Sequence, residues 1–307
     1  MAFFFEVLIG GMLTGVMYSL VALGFVLIYK ASGVFNFAQG IMLLFAALFL
    51  AGMMDGGPIH IPFVGSFGFP KLSFWLALPI TLLVMIVLAY AVEFFILRHM
   101  VNQEQIILFM ATIGLTFFLE GFGETLWGGN VKTLDIGIPT GNFEVAGAQI
   151  QIFDLFAAGV AGILVTVLAV FFQKTRVGRA LRAVADDHQA ALSVGISLRA
   201  IWIIVWAVAG FVALVAGVMW GAASGVQFSL SLIALKALPV LILGGFTSVP
   251  GAIVGGIIIG IGEKLFEVYV GSLFGGATEN WFAYVMALAF LLFRPQGLFG
   301  EKIIERV

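Results

Sequence analysis

The sequence predicts an all-α fold: a polytopic transmembrane helical bundle of about eight or nine membrane segments, in one domain covering residues 1–307. Three observations predict it. Apolar residues make up 62% of the chain and charged residues 10%, and the mean hydropathy is +1.18, far outside the range of soluble domains. Apolar runs recur at the length of about 20 residues that a helix, rising about 1.5 Å per residue, needs to cross a hydrocarbon core of about 30 Å. Cysteine is absent, which excludes disulfide scaffolds, thiolate metal sites and cysteine nucleophiles together.

The first run, approximately 7–29, sits in a chain that is apolar from Phe3 onward, with no basic leader or small-residue cleavage site. It reads as a span and not as a removable signal. Its Gly11-x-x-x-Gly15 spacing lets helix backbones approach closely where lipid supplies no hydrophobic drive for association. The second run, 36–54, opens on Phe35-Asn36-Phe37-Ala38-Gln39-Gly40. The amides of Asn36 and Gln39 either bond freed backbone at the helix start or line a polar path for a solute. Asp55-Gly56-Gly57-Pro58 is a breaker cluster that ends this span.

Runs at 74–96 and 106–127 follow, the latter closed by Gly128-Gly129-Asn130. Glu120 and Glu124, four apart, share one helix face near its end and either face a vestibule or are solvated at the interface. After 152–173 and 200–222 comes a shorter stretch, 231–247, interrupted by Pro239 and Gly244-Gly245. It either crosses or enters as a half-helix surrounded by protein. Lys236 lies near its end, where its stem can snorkel. The run 250–272 carries Gly251-x-x-x-Gly255 and Gly256-x-x-x-Gly260, spaced for packing within the bundle or for a dimer seam. It also holds Glu263, Lys264 and Glu267; an ionisable group within a span is a functional candidate, and Lys264 and Glu267 stand at a spacing that lets them pair. The last run is 279–293.

Between the fifth and sixth runs lies the polar stretch 174–199, which holds five of the fourteen Lys and Arg residues. Cytoplasmic loops carry the basic excess, so this stretch, Lys30, Arg98 and the tail with Arg294, Lys302 and Arg306 go inside. The N-terminus and the loops 55–73 and 128–151, with one lysine each, go outside, and an inner C-terminus then requires an odd number of crossings. Helical projection of 177–194 puts Val177, Leu181, Val184 and the Ala191/Leu192 region on one side, with Arg179, Arg182, Asp186 and Asp187 supplying polar positions. Such an amphipathic helix lies across the inner membrane face or presses into a partner's groove.

Several chemistries are absent from the sequence. There is no Gly-x-x-x-x-Gly-Lys-Ser/Thr phosphate loop and no Gly-x-Ser-x-Gly elbow, and His60, His99 and His188 lack metal-ligand spacing. A formal net charge of −2 gives no global field for nucleic acid. Ala31-Ser32-Gly33-Val34 recurs as Ala223-Ser224-Gly225-Val226, either by chance or as a trace of repeated halves.

Four motifs, in order, carry a resemblance: Asn36-Phe37-Ala38-Gln39-Gly40; the Gly178-Arg179-Ala180-Leu181-Arg182-Ala183-Val184-Ala185 run leading through acidic residues to Gly195-Ile196; Gly244-Gly245-Phe246-Thr247-Ser248-Val249-Pro250-Gly251-Ala252 with Glu263 beyond; and Phe293-Arg294-Pro295-Gln296-Gly297-Leu298-Phe299-Gly300. Together they resemble the LivH-type permease family of branched-chain amino acid ABC importers. Many members have an acidic residue after the glycine of the first motif, where this chain has Ile41.

The resemblance implies a multi-pass subunit of the bacterial inner membrane, embedded in the lipid bilayer. Its implied partners are a second, LivM-type permease, two cytoplasmic ABC ATPase subunits and an external solute-binding protein, with no nucleic acid. It implies no cofactor in this chain, ATP and Mg being used by the ATPase subunits, and no enzymatic activity. Gly178, Arg179, Leu181, Arg182, Asp186, Asp187, Ala190, Leu192 and Gly195 are the expected coupling residues. Asn36, Gln39, Glu120, Glu124 and Glu263 are the path candidates. The substrate alternatives are urea and short amides. The competing class is a self-contained secondary transporter or channel, which would move solute without ATP.

Overall fold

Helices form where the apolar runs lie, because in lipid each backbone N–H and C=O must find its partner within the chain. The computed structural model describes residues 2–61, 65–68, 70–100, 103–139, 141–145, 148–186 and 188–300. Its helices are α1 (Ala2–Ser32), α2 (Gln39–Asp55), α3 (Phe74–Phe95), α4 (Gln105–Trp127), α5 (Ile152–Lys174), α6 (Arg176–Asp186), α7 (His188–Ser193), α8 (Leu198–Ser224), α9 (Ile233–Gly244), α10 (Val249–Tyr269) and α11 (Phe282–Phe293). Six of them, α1, α3, α4, α5, α8 and α10, are long and apolar enough to cross a membrane; α2, α9 and α11 are shorter apolar helices.

Two antiparallel hairpins were not expected. β1 (Pro58–Ile61) pairs with β2 (Gly65–Gly68), with Ile59 opposite Phe67, and β3 (Asn142–Val145) pairs with β4 (Ala148–Gln151), with Phe143 opposite Ile150. Strands of four residues are too short for an alternating pattern to stand out in the sequence. They give the loop backbone partners it would otherwise lack.

The chain sorts into two compact units, each drawn from separated parts of the sequence. The first comprises residues 1–26, 137–166 and 233–307. Here the small-residue spacings meet each other: a methyl at Gly15 would stand 2.2 Å from the Gly256 carbonyl oxygen, and one at Gly260 would stand 2.4 Å from that of Gly11. Backbones this close exclude any side chain, so Gly11, Gly15, Gly256 and Gly260 form an α1–α10 seam inside the unit. The other frame of α10 faces α9, where methyls at Gly251 and Gly255 would clash with the Gly244 and Val240 carbonyls. Tyr284 on α11 donates to the Leu235 carbonyl of α9 at 2.8 Å, and Phe282 stacks on Phe266 with ring centroids 4.1 Å apart. The segment after α11 turns back to α9, where the Leu298 N–H donates to the Leu243 carbonyl at 2.8 Å and the Phe299 N–H to that of Gly244.

The second unit comprises residues 27–136 and 167–232. Its centre is α2, buried along nearly its whole length from Gln39 to Met53 and packed by α3, α4 and α8. A helix apolar on every side belongs in such a position. Gly217 of α8 allows the close approach to α2, since a methyl there would stand 2.5 Å from the Leu43 carbonyl oxygen. The Ala-Ser-Gly-Val recurrence has a shared local role: it ends α1 and α8, with Ser32 and Ser224 hydroxyls donating to the carbonyls of Ile28 and Trp220 four residues back.

Candidate functional site

The polar stretch begins where Thr175 ends α5. Its hydroxyl donates to the Phe171 carbonyl at 2.6 Å and accepts from the Gly178 N–H at 2.9 Å, capping the start of α6. The turn is so tight that a methyl at Gly178 would stand 2.3 Å from the Phe172 carbonyl oxygen. That same carbonyl accepts from the Arg182 guanidinium, which places a cation on the C-terminal end of α5 where the helix dipole favours it. Leu181 and Val184 are buried beneath α6, and Ala191 beneath α7. The segment closes with the Gly195 N–H donating to the Leu192 carbonyl and the Ile196 N–H to that of Ala191, both at 3.0 Å. Gly195 has φ +87°, a conformation that glycine enters without strain. Ser197 then accepts from the Ala200 N–H and caps α8.

This geometry corrects part of the expectation. Over 177–194 the described residues are helical as α6 and α7, on either side of Asp187. Leu192 does not share the buried side with Ala191, being 52% exposed, because consecutive residues of one helix point about 100° apart. Gly178, Leu181 and Arg182 face the chain itself. Arg176, Arg179, Leu192 and Gly195 face outward, as does Val194 at 81% exposed. Asp187 and the side chains of Asp186 and Ala190 lie outside the described residues.

Of the expected path residues, Asn36, Gln39, Glu120 and Glu124 belong to the second unit and Glu263 to the first. Asn36 is fully buried; its Oδ1 accepts from the Ala38 N–H at 3.1 Å, while the neighbouring Phe37 N–H donates to the Thr112 hydroxyl at 3.0 Å. Gln39 is buried and donates to the Ala209 carbonyl at 3.4 Å. Beside Asn36 a cavity with room for about one water-sized group is lined by Ser32, Thr112, Trp202 and Trp206 among others. Glu120 is half-buried and Glu124 exposed, both toward the end of α4. Glu263 is 1% exposed and locked in a cluster: Lys236 Nζ donates to its Oε1 at 2.8 Å and Tyr18 Oη at 3.1 Å, and Lys236 also donates to the Glu279 carbonyl at 2.7 Å.

Two further expectations fail within the same unit. Lys236 does not snorkel, because a carboxylate and a carbonyl stand within its reach. Lys264 pairs with Glu279 at 3.4 Å and not with Glu267, which accepts instead from the Thr278 hydroxyl and the N–H groups of Ala277 and Glu279. The short turn at Thr278–Asn280 brings three donors closer to Glu267 than its helix neighbour can come.

Four motifs spread along a bundle of this kind call for comparison with known transport subunits. The sequence matches the family described as branched-chain amino acid transport system / permease component over residues 7–294. The chain belongs to that family. It is 26% identical to the high-affinity branched-chain amino acid transport system permease protein LivH of Escherichia coli (strain K12), over 99% of this chain and 98% of that one. It is also 26% identical to the corresponding permease protein BraD of Pseudomonas aeruginosa, with the same coverage. To a probable branched-chain amino acid transport permease protein LivH of Methanocaldococcus jannaschii it is 28% identical over 92% of this chain and 88% of that one. No solved structure matches it. The family is one of multi-pass membrane transport subunits and not of enzymes.

Sequence reasoning missed a buried charge cluster of this permease. Glu93, on the last turn of α3 and 1% exposed, stands 3.3 Å from Arg199 on the first turn of α8 and 3.7 Å from Arg98, which follows α3. Arg98 also lies over the Phe94 ring at 4.0 Å. Both arginines were read as markers of sidedness. The available signal was the acid itself: a carboxylate inside a long apolar run needs a partner.

Proposed function

We propose that this permease works as a single membrane domain of an ATP-binding-cassette importer for branched-chain or related hydrophobic amino acids. Its partners in that reading are a second, LivM-type permease, two cytoplasmic ATPase subunits and an external solute-binding protein. The observation that carries the reading is the α6–α7 segment. It is seated on the chain by Gly178, Leu181, Arg182 and Val184, and it presents Arg176, Arg179, Leu192 and Val194 to the outside. An apolar tip flanked by guanidinium groups suits a groove with an acidic rim on a partner protein. The rule of basic cytoplasmic loops places this segment and the C-terminus inside and the N-terminus outside.

Energy enters from the partners. ATP and Mg bind the ATPase subunits, whose closure displaces α6 and α7, and the bundle exchanges access between the two faces because the partner contacts differ in the two states. Glu120 and Glu124 stand where a path mouth needs polar groups, and Asn36 and Gln39 lie deeper. Glu263 serves the bundle by pairing with Lys236. Specificity resides chiefly in the binding protein.

The test is reconstitution of the complex in vesicles with its binding protein, measuring uptake of labelled leucine, isoleucine and valine. ATP-dependent uptake that requires every partner is expected. Uptake by the purified chain alone, driven by an ion gradient and indifferent to ATP, overturns the reading. Because the chain has no cysteine, a Val194→Cys variant gives a clean crosslinking site, expected to capture an ATPase subunit.

A further inference from the structure

We propose that Glu93 is a positioning residue for energy coupling, exchanging its carboxylate between Arg199 and Arg98 as the α6–α7 segment moves; this rests on the coupling reading above. Three observations support it. The first is connection: only four residues separate α7 from α8, Ser197 caps α8, and Arg199 sits on its first turn, so a displacement of α7 reaches Arg199 through a short, bonded link. The second is packing: α3 and α8 lie along one another, and Glu93 joins them where α8 leaves the polar segment.

The third is an unmade bond. Glu93 Oε2, Arg98 Nε and Arg98 Nη2 are all buried and have no hydrogen-bond partner among the described residues, although Oε2 and Nη2 are 3.7 Å apart. Complementary charged groups at that separation are less than about 1 Å short of a charge-assisted hydrogen bond. In the state shown, Arg199 engages the other oxygen at 3.3 Å while its side chain is 52% exposed. It can therefore withdraw into water, and Arg98 is placed to take the carboxylate over. The buried acid never loses both partners, which makes the exchange a discrete two-state step.

The experiment uses the reconstituted complex and measures solute uptake and ATP hydrolysis together. Glu93→Gln and Arg199→Gln are each expected to lower solute carried per ATP by about tenfold while the assembled complex still hydrolyses ATP. The charge exchange Glu93→Arg with Arg199→Glu is expected to recover part of that ratio. An unchanged ratio in Arg199→Gln overturns the proposal, as does a fall in which assembly, hydrolysis and uptake decline in parallel, the mark of a purely structural pair. Crosslinking at Val194→Cys separates the two readings. Capture of the ATPase with an unchanged ratio in Arg199→Gln removes this proposal alone, and absence of capture removes the coupling reading beneath it.

Discussion

Glu263 and Glu93 are each 1% exposed, yet they are held in opposite ways. Glu263 Oε1 has partners at hydrogen-bond distance that are themselves largely dry, Lys236 being 20% exposed and Tyr18 6%, while Oε2, like that of Glu93, has none among the described residues. Lys236 is held again by the Glu279 carbonyl, so no member of that cluster can leave without stranding another. Glu93 has two guanidinium partners at longer range: Arg199, 52% exposed, reaches water, whereas Arg98, 27% exposed, keeps its Nε and Nη2 buried. A buried charge with buried partners is a fixed strut, whereas one with a partner that touches water can trade that partner for another. The difference locates rigidity in one unit and a movable contact in the other.

Removing Lys236 tests the strut with the largest expected effect. Lys236→Ala leaves Glu263 buried without its cation and should destabilise the protein by about 3–5 kcal/mol, read as a lower thermal unfolding midpoint of the purified complex. An unfolding midpoint equal to that of the unmodified protein would mean the cluster is open to water after all. The seam that brings Tyr18 to Glu263 comes next. A methyl at Gly256 would stand 2.0 Å from Ser19 Oγ and 2.5 Å from the Gly15 carbonyl oxygen, so Gly256→Ala should cost about 1–3 kcal/mol by the same measurement.

The Glu93 side should respond less in stability. Glu93→Gln keeps the shape of the side chain and leaves Arg199 free to reach water, and is expected to cost about 1–3 kcal/mol, less than Lys236→Ala. A loss as large as that of Lys236→Ala would erase the distinction between the two acids. Val194→Ser, at a residue 81% exposed, should change stability by less than about 0.5 kcal/mol while reducing copurification of the ATPase subunits. Retained copurification would move the docking surface elsewhere on α6.

Much of the fold was legible because hydropathy adds up locally. The run at 200–222 became Leu198–Ser224 and that at 74–96 became Phe74–Phe95, each within a turn of its expected limits. The interrupted stretch at 231–247 became the shorter helix Ile233–Gly244, closed near its Gly-Gly pair. The polar 174–199 segment was legible as a place but not as a surface. Arg182 and Arg179 look equivalent in sequence, yet the first is half-buried on the Phe172 carbonyl and the second is exposed, 3.5 Å from the Lys174 carbonyl. The pairing of Lys264 with Glu267 was a sound local inference that lost to Thr278–Asn280, a turn whose position no helix spacing encodes.

By itself the sequence determined the membrane class, the helical segments, the expected sidedness and the family, since each depends on composition within a window or on a contiguous motif. Tertiary structure alone decided the partners. Glu263 meets Lys236 across 27 positions and Tyr18 across 245, and Glu93 meets an arginine that begins a different helix. The physical reason is that an ion pair needs approach within about 4 Å. In a bundle that approach is set by where glycine seams and buried helices let backbones come together, not by spacing along the chain.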